Sequence, residues 1–518
     1  MKGIRIRIFI LSLFALFVEG RQEVFGLPAD PLPLADKVNR VSSFATEFRG
    51  EVGLNPALYY YFTPFSWTSL DINGVYHDKG KAALRQEGDK ETHIGVDVNS
   101  FVVLSEHSRV FGSAGYRNKK QENVGWNENL DWETVAPYVT GDSIGGFLKG
   151  EIYYFKGGYA RESGDWTWGL SGGYKAAHNY RDKDPRPRNT SSDLTFACGA
   201  GYRFGKYRFG MATDFRLYQQ QSEITFMADK GSTSVYHMLG LGKDYVRFAG
   251  TQTGVKYQGL QWGGQMALLP ACSADGWSVQ LGMNRMNLDK NLSGANNLTL
   301  LRLETTQLKG DVAWMQKMRK NAQAGLKLNA SYLLRQGKEH IYGEAGGNSY
   351  GTLISTSPGI RVAKTQVGLQ GLWESSLTNQ RHWGGAIVPE INCHWLDIDY
   401  KAASRQVCLS SLEVSLLGRL YYQKKKWRFT AEAKGSYNAN LSAASLLPGL
   451  DTSKSSSQAL LDNVAYLSDS YGMMGVLLQA NYPVIKQSSL FLALQWQRVQ
   501  YKKSGMTQYA ACSLGLFF

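Results

Sequence analysis

Residues 508–518 read QYAACSLGLFF. In steps of two back from Phe518 the positions are Leu516, Leu514, Cys512 and Ala510, all apolar, while Gly515, Ser513, Ala511 and Tyr509 fill the other phase. Successive side chains leave opposite sides of a strand, so this stretch predicts a β-strand with one greasy face and one small or polar face.

The same alternation recurs along the chain. THIGVDVNSFVVL (92–104) sets Ile94, Val96, Val98, Val102 and Leu104 against His93, Asp97 and Asn99. YRFGMATDFRL (207–217) sets Tyr207, Phe209, Met211, Phe215 and Leu217 against Arg208, Asp214 and Arg216. AGLKLNASYLLR and WRFTAEAKGSY repeat the pattern, with Leu326, Leu328, Trp427 and Phe429 on the apolar phase. Period two is the rule, and helical period is scarce.

The connections alternate in kind. Tight ones are SEHS (105–108), ESGD (162–165), FGKY (204–207), KMRKN (317–321), TNQR (378–381) and QKKK (423–426). Long polar ones lie around 118–147, 181–192, 219–250, 337–358 and 441–468. Short turns on one rim and long loops on the other predict a transmembrane antiparallel β-barrel. Counting with that parity gives about 18 strands, range 16–20, with the sixth starting near residue 193 and the twelfth near 359. GLQWGG in 259–264 is kept inside one strand, because a turn there would move the later short turns to the wrong rim. A soluble β-sandwich is the alternative for many alternating strands. Against it stand the absence of any linker between sandwich-sized parts and the aromatic residues near strand ends. Tyr153, Tyr154, Trp166, Trp168, Tyr202, Tyr207, Tyr421, Tyr422 and Trp427 are the candidates for interfacial girdles.

At the other end, Lys2, Arg5 and Arg7 precede an eleven-residue run from Ile8 to Val18 that only Ser12 interrupts. That is the form of a secretory signal peptide, too short for the roughly 20 residues of a spanning helix. The expected domains are a signal peptide at 1–20, a periplasmic or luminal hatch-like segment at 21–65, and an outer-membrane barrel at 66–518.

Two short elements carry resemblances. Phe518, Leu516 and Leu514 resemble the carboxy-terminal signal by which bacterial outer-membrane barrels are recognised for insertion, which implies the barrel-assembly machinery as a partner. Asn55, Pro56 and Ala57 resemble the NPA element that closes the amino-terminal hatch in the long-chain fatty-acid transporter family, against the alternative that Asn-Pro makes a turn before the first strand. As a whole the chain resembles the large uncharacterised outer-membrane barrel families that share only architecture. A TonB-dependent receptor is disfavoured, since those carry a plug of well over a hundred residues ahead of the first strand.

The inward phase supplies candidate lumen charges: Arg208, Asp214, Arg216, Lys309, Asp311, Lys327, Glu413, Arg419, Arg428, Glu432 and Lys434. They make either a salt-bridged filling or a field that orients ions in a pore. With 57 basic against 43 acidic residues and a formal charge of +14, anions are slightly favoured inside, and lipopolysaccharide phosphates outside would attract basic loops such as RDKDPRPR (181–188). Outer-membrane lipids and lipopolysaccharide are therefore expected partners, and nucleic acid is not.

No catalytic residue, metal site or cofactor is expected: the chain has no His-x-x-x-His pair and no CxxC. Cys393 and His394 are neighbours on a strand and point to opposite faces. Cys198, Cys393 and Cys512 follow the apolar phase, and five cysteines give no disulfide framework. The expected function is a channel or passive transporter in the cell outer membrane for a small solute, apolar or anionic. The alternatives are an outer-membrane enzyme of lipase or protease type and a structural or surface-interaction barrel.

Overall fold

The computed structural model describes residues 34–48, 55–227, 234–246, 254–271, 275–295, 297–319, 322–343, 351–375, 377, 382–485 and 487–518. The expected signal peptide and the TNQR turn lie outside the described residues.

Eighteen antiparallel strands close into a barrel. Each pairs with its sequence neighbours, and the last, Met506–Phe517, pairs with the first, Trp67–Asp78, from Ser69↔Phe517 to Asp78↔Gln508. Phe518 completes the seam through two backbone bonds: the Thr68 amide donates to its carbonyl at 2.7 Å, and its own amide donates to Thr68 at 2.9 Å. Closure gives every strand of the barrel a hydrogen-bonded neighbour on both sides, which a chain surrounded by lipid requires. Val255–Pro270 is one uninterrupted strand, as the parity demands.

The apolar phase faces outward. Ile94, Phe155, Leu194, Phe215, Leu281, Leu326, Leu328, Leu416, Leu478 and Leu514 are all exposed on the barrel wall. Aromatic rings frame this belt: Trp166 packs on Tyr202 at 4.7 Å, Trp383 on Tyr422 at 4.2 Å and Trp427 on Tyr482 at 4.7 Å. A closed barrel with an apolar belt and aromatic girdles is an outer-membrane protein, and the general asymmetry of such barrels makes the short-turn rim periplasmic. No described helix is long and apolar enough to cross a membrane.

Two readings of the wall need correction. Tyr154 and Tyr421 point inward, where Tyr154 donates to Asp97 and Tyr421 lies beside Arg419. Each follows or precedes an outward tyrosine, and adjacent strand residues cannot share a face. Several loops are also shorter than expected, because strands continue past the lipid. The sixth strand is Arg186–Phe204, the eleventh Ala322–Tyr342 and the twelfth starts at Leu353. Beyond the belt both faces are wet or packed on loops, so apolar alternation disappears while backbone pairing persists.

Candidate functional site

Segments outside the barrel strands pack inside the lumen at both ends. At the short-turn end the amino-terminal segment lies inside. Its helices Leu34–Val41 and Phe44–Phe48 meet at a Ser42–Ser43 turn. Glu374 gathers this turn: it accepts from Ser43 Oγ at 2.8 Å and from the amides of Phe44 and Ala45, both at 3.2 Å. Arg419 donates to the Ser42 carbonyl at 2.9 Å and lies 3.5 Å from the centre of the Phe44 ring. Phe48 is buried with Ala313, Met315, Leu372 and Val388.

The second piece of this seal is the turn at Asn55, Pro56 and Ala57. Asn55 Oδ1 accepts from the Ala57 amide at 3.0 Å, and both residues are fully enclosed. The wall opposite is cut back to glycine. A Cβ on Gly169 would lie 2.5 Å from the Ala57 nitrogen, one on Gly199 would overlap Asn55 Oδ1, and one on Gly210 would sit 3.0 Å from both Asn55 Nδ2 and Leu58. Beyond the turn comes the 3-10 helix Leu58–Tyr61. Tyr60 donates to the Glu106 carbonyl at 2.5 Å, and Arg208 stacks over Tyr61 at 3.5 Å. Burial in this seal pushes the Tyr61 phenol up to about 12.

The long-loop end carries a true hydrophobic core. Residues 125–145 dip inward with the helical turn Trp132–Val135, and Thr140–Gly141 pairs with Tyr236–Gly240, which in turn pairs with Lys243–Asp244. Val135, Tyr138, Val139, Leu239 and Leu241 from these loops pack on Tyr257, Leu292, Leu300, Leu301 and Ile360 of the wall. A Cβ at Gly337 or Gly359 would collide with the Tyr138 hydroxyl. Inward basic residues of the wall cap the loop carbonyls: Arg335 donates to Ala136 and Glu133 at 2.8 and 2.7 Å, Lys290 to Val139 at 2.9 Å and Arg405 to Leu241 at 2.7 Å. Arg181 is likewise sequestered, bonded to Glu128 at 2.9 Å and Asp142 at 2.7 Å. Of the basic loop 181–188, Arg181 is thus unavailable to lipopolysaccharide, because its guanidinium is buried against two carboxylates.

Between the two closures the lumen is polar. All eleven candidate lumen charges lie on the phase opposite the exposed apolar side chains, hence inward. Arg216 binds Asp193 through two nitrogens at 2.8 and 2.7 Å, Arg419 pairs with Glu432 at 2.7 Å, and Lys327 lies 4.0 Å from Asp311. Asp214 takes the Gln261 amide at 3.4 Å, and Glu413 lies 3.9 Å from His394. Among the described residues Lys156, Lys309, Lys364 and Lys434 face the lumen with no ion-pair partner. Asn329 and Asn392 fill the gap over Gly368, so the mid-wall presents amides as well as charges.

Residues 56–518 match the model of a protein family described as a family of unknown function, DUF6850. The chain belongs to that family. No curated protein matches it. Solved structures similar to it include the ferric preacinetobactin receptor of Acinetobacter baumannii, at 10% identity and a TM-score of 0.40 over 88% of this chain and 80% of that one. The ferric-catecholate import receptor Fiu of E. coli K12 gives 9% and 0.37 over 86% and 81%, and the ferric enterobactin receptor of Pseudomonas aeruginosa 9% and 0.36 over 87% and 80%.

In this DUF6850 protein Arg335, Lys290 and Arg405, which are not among the eleven candidate lumen charges, serve loop carbonyls rather than carboxylates, and no local signal announces an acceptor that arrives from another loop. The docking glycines were also missed, although their inward phase was readable: an inward glycine on a wide barrel leaves a slot for something else. Among the described residues no group of three or more His, Cys, Asp or Glu side chains could hold a metal ion.

Proposed function

We propose that this protein is a gated outer-membrane transporter for a small hydrophilic solute, with anionic solutes favoured. The observation that carries the reading is a polar lumen bounded by two closures that both dock on wall glycines. A barrel needing only rigidity has no use for shaped receptors on its inner wall. Unpaired lysines on the lumen wall support an anionic solute, whereas the amide-rich surface gives an apolar one no support.

The two closures differ in strength. Among the described residues the long-loop core buries nineteen hydrophobic side chains, and the two apolar clusters of the amino-terminal seal bury six and four. At about 1.5–3 kcal/mol per large apolar side chain, the amino-terminal seal is the cheaper one to release. That same long-loop core favours a second reading, a permanently closed barrel whose exterior loops serve surface interaction.

Single-channel conductance in planar bilayers separates the readings. The comparison is between the protein starting near Arg21 and a version starting near Pro56, each with and without residues 127–143 replaced by a short linker. Conductance that rises when both closures are removed supports gating. Silence of the doubly opened barrel means the lumen is filled by its own wall and removes the transport reading.

A further inference from the structure

We propose that the short-turn end of the lumen holds a binding site for a small oxyanion, a phosphate or a carboxylate group, centred on Arg428. Arg428 is the second residue of the strand Trp427–Leu446, points inward and is 5% exposed. Its Nη2 donates to Ser42 Oγ at 3.0 Å, while Nε and Nη1 are buried with no hydrogen-bond partner. Among the described residues no carboxylate lies within ion-pair distance of it.

The nearby groups cannot neutralise it. Arg419 is a second cation, already paired to Glu432 at 2.7 Å. Glu374, the acid that holds the Ser42–Ser43 turn, has its oxygens taken by Ser43 Oγ, the Phe44 and Ala45 amides and Gln323 Nε2 at 3.0 Å. Tyr421 offers only its ring face, 5.3 Å away. A buried guanidinium with free N–H groups and no counter-charge is strongly unfavourable, so the arrangement is complete only with an anion present. Guanidinium matches the oxygens of phosphate and carboxylate groups, and the Ser42 hydroxyl, which donates to the Val38 carbonyl at 2.8 Å, accepts from Nη2 and orients the guanidinium.

The site joins the wall to the Ser42–Ser43 turn, so its occupant ties the seal shut; this consequence rests on the gate reading above. The anion comes either from the periplasm, as a free ion, or from the transported solute, as its charged end.

Titration calorimetry on the full mature protein in detergent, in chloride buffer, tests the site with inorganic phosphate and with acetate as probes. Saturable phosphate binding is expected, weakened at least tenfold in Arg428→Gln and less in Arg428→Lys, with heat-modifiable mobility confirming that each variant is folded. Where R428Q does not fold, Ser42→Ala is used, and a several-fold loss is expected. Absence of saturable binding of either probe to the wild type overturns the proposal, and so does affinity unchanged in the folded variant. Binding of phosphate alone identifies a free-ion site, and binding of acetate as well extends it to carboxylate solutes. Failure of the gate reading shows separately, in the conductance of the truncated barrel with no phosphate present.

Discussion

The Tyr138 hydroxyl fills the space that a side chain on Gly337 would occupy, which fixes the inward loop to the barrel wall. Tyr138 also lies 3.5 Å from Glu339 and receives the Tyr257 hydroxyl on its carbonyl at 2.9 Å. Gly337→Val therefore expels the ring. The expected outcome is a folded barrel with a released loop, read as new protease cleavage within residues 125–145 and higher conductance. An uncut loop in the G337V protein contradicts this docking.

The wall opposite the amino-terminal turn makes the matching case. Gly199→Val is expected to displace Asn55, with thermal unfolding of the barrel little changed and the seal loosened. The check is accessibility of a cysteine placed at Ala57 to a water-soluble maleimide. Labelling that stays as slow as in the parent shows that Asn55 is not seated there.

Arg181 holds two buried carboxylates, Glu128 and Asp142, each completely enclosed. Arg181→Gln leaves a buried charge without its partner, a loss of about 3–5 kcal/mol. Hydrogen exchange should show the loss in the loop and not in the lipid-spanning strands. Uniform destabilisation of the whole barrel is the contrary result.

Side-chain direction on the wall is testable one residue at a time. Leu328 is 49% exposed on the outer face, and Lys327 beside it faces the lumen. Leu328→Arg places a charge in lipid at a cost of about 2–4 kcal/mol if it lies near the midplane, whereas Lys327→Leu costs far less. Urea unfolding from lipid vesicles measures both, and the reverse order means the register is one residue off.

The resemblance at the last strand leads to an assembly prediction. Phe518→Asp is expected to reduce barrel insertion sharply while secretion to the periplasm continues. Undiminished heat-modifiable protein in outer-membrane fractions refutes it.

Alternation along the chain was enough to establish the barrel, its strand number and the inward phase of Arg208, Lys327 and Arg428. It suffices because lipid acts as a solvent on each strand separately: every second residue must be apolar whatever its distant neighbours are. Where strands leave the lipid, that local constraint ends, and the extensions at Arg186 and Leu353 were lost with it. The closures belong to the tertiary structure alone. Glu374 meets Ser43 across 331 positions of chain and Arg419 meets Ser42 across 377, so no window of sequence contains both partners. Gly199, Gly325 and Gly337 read in sequence only as weak points of strands. Their use appears when Asn55, Phe48 and Tyr138 arrive from other parts of the chain to fill the slots that they leave.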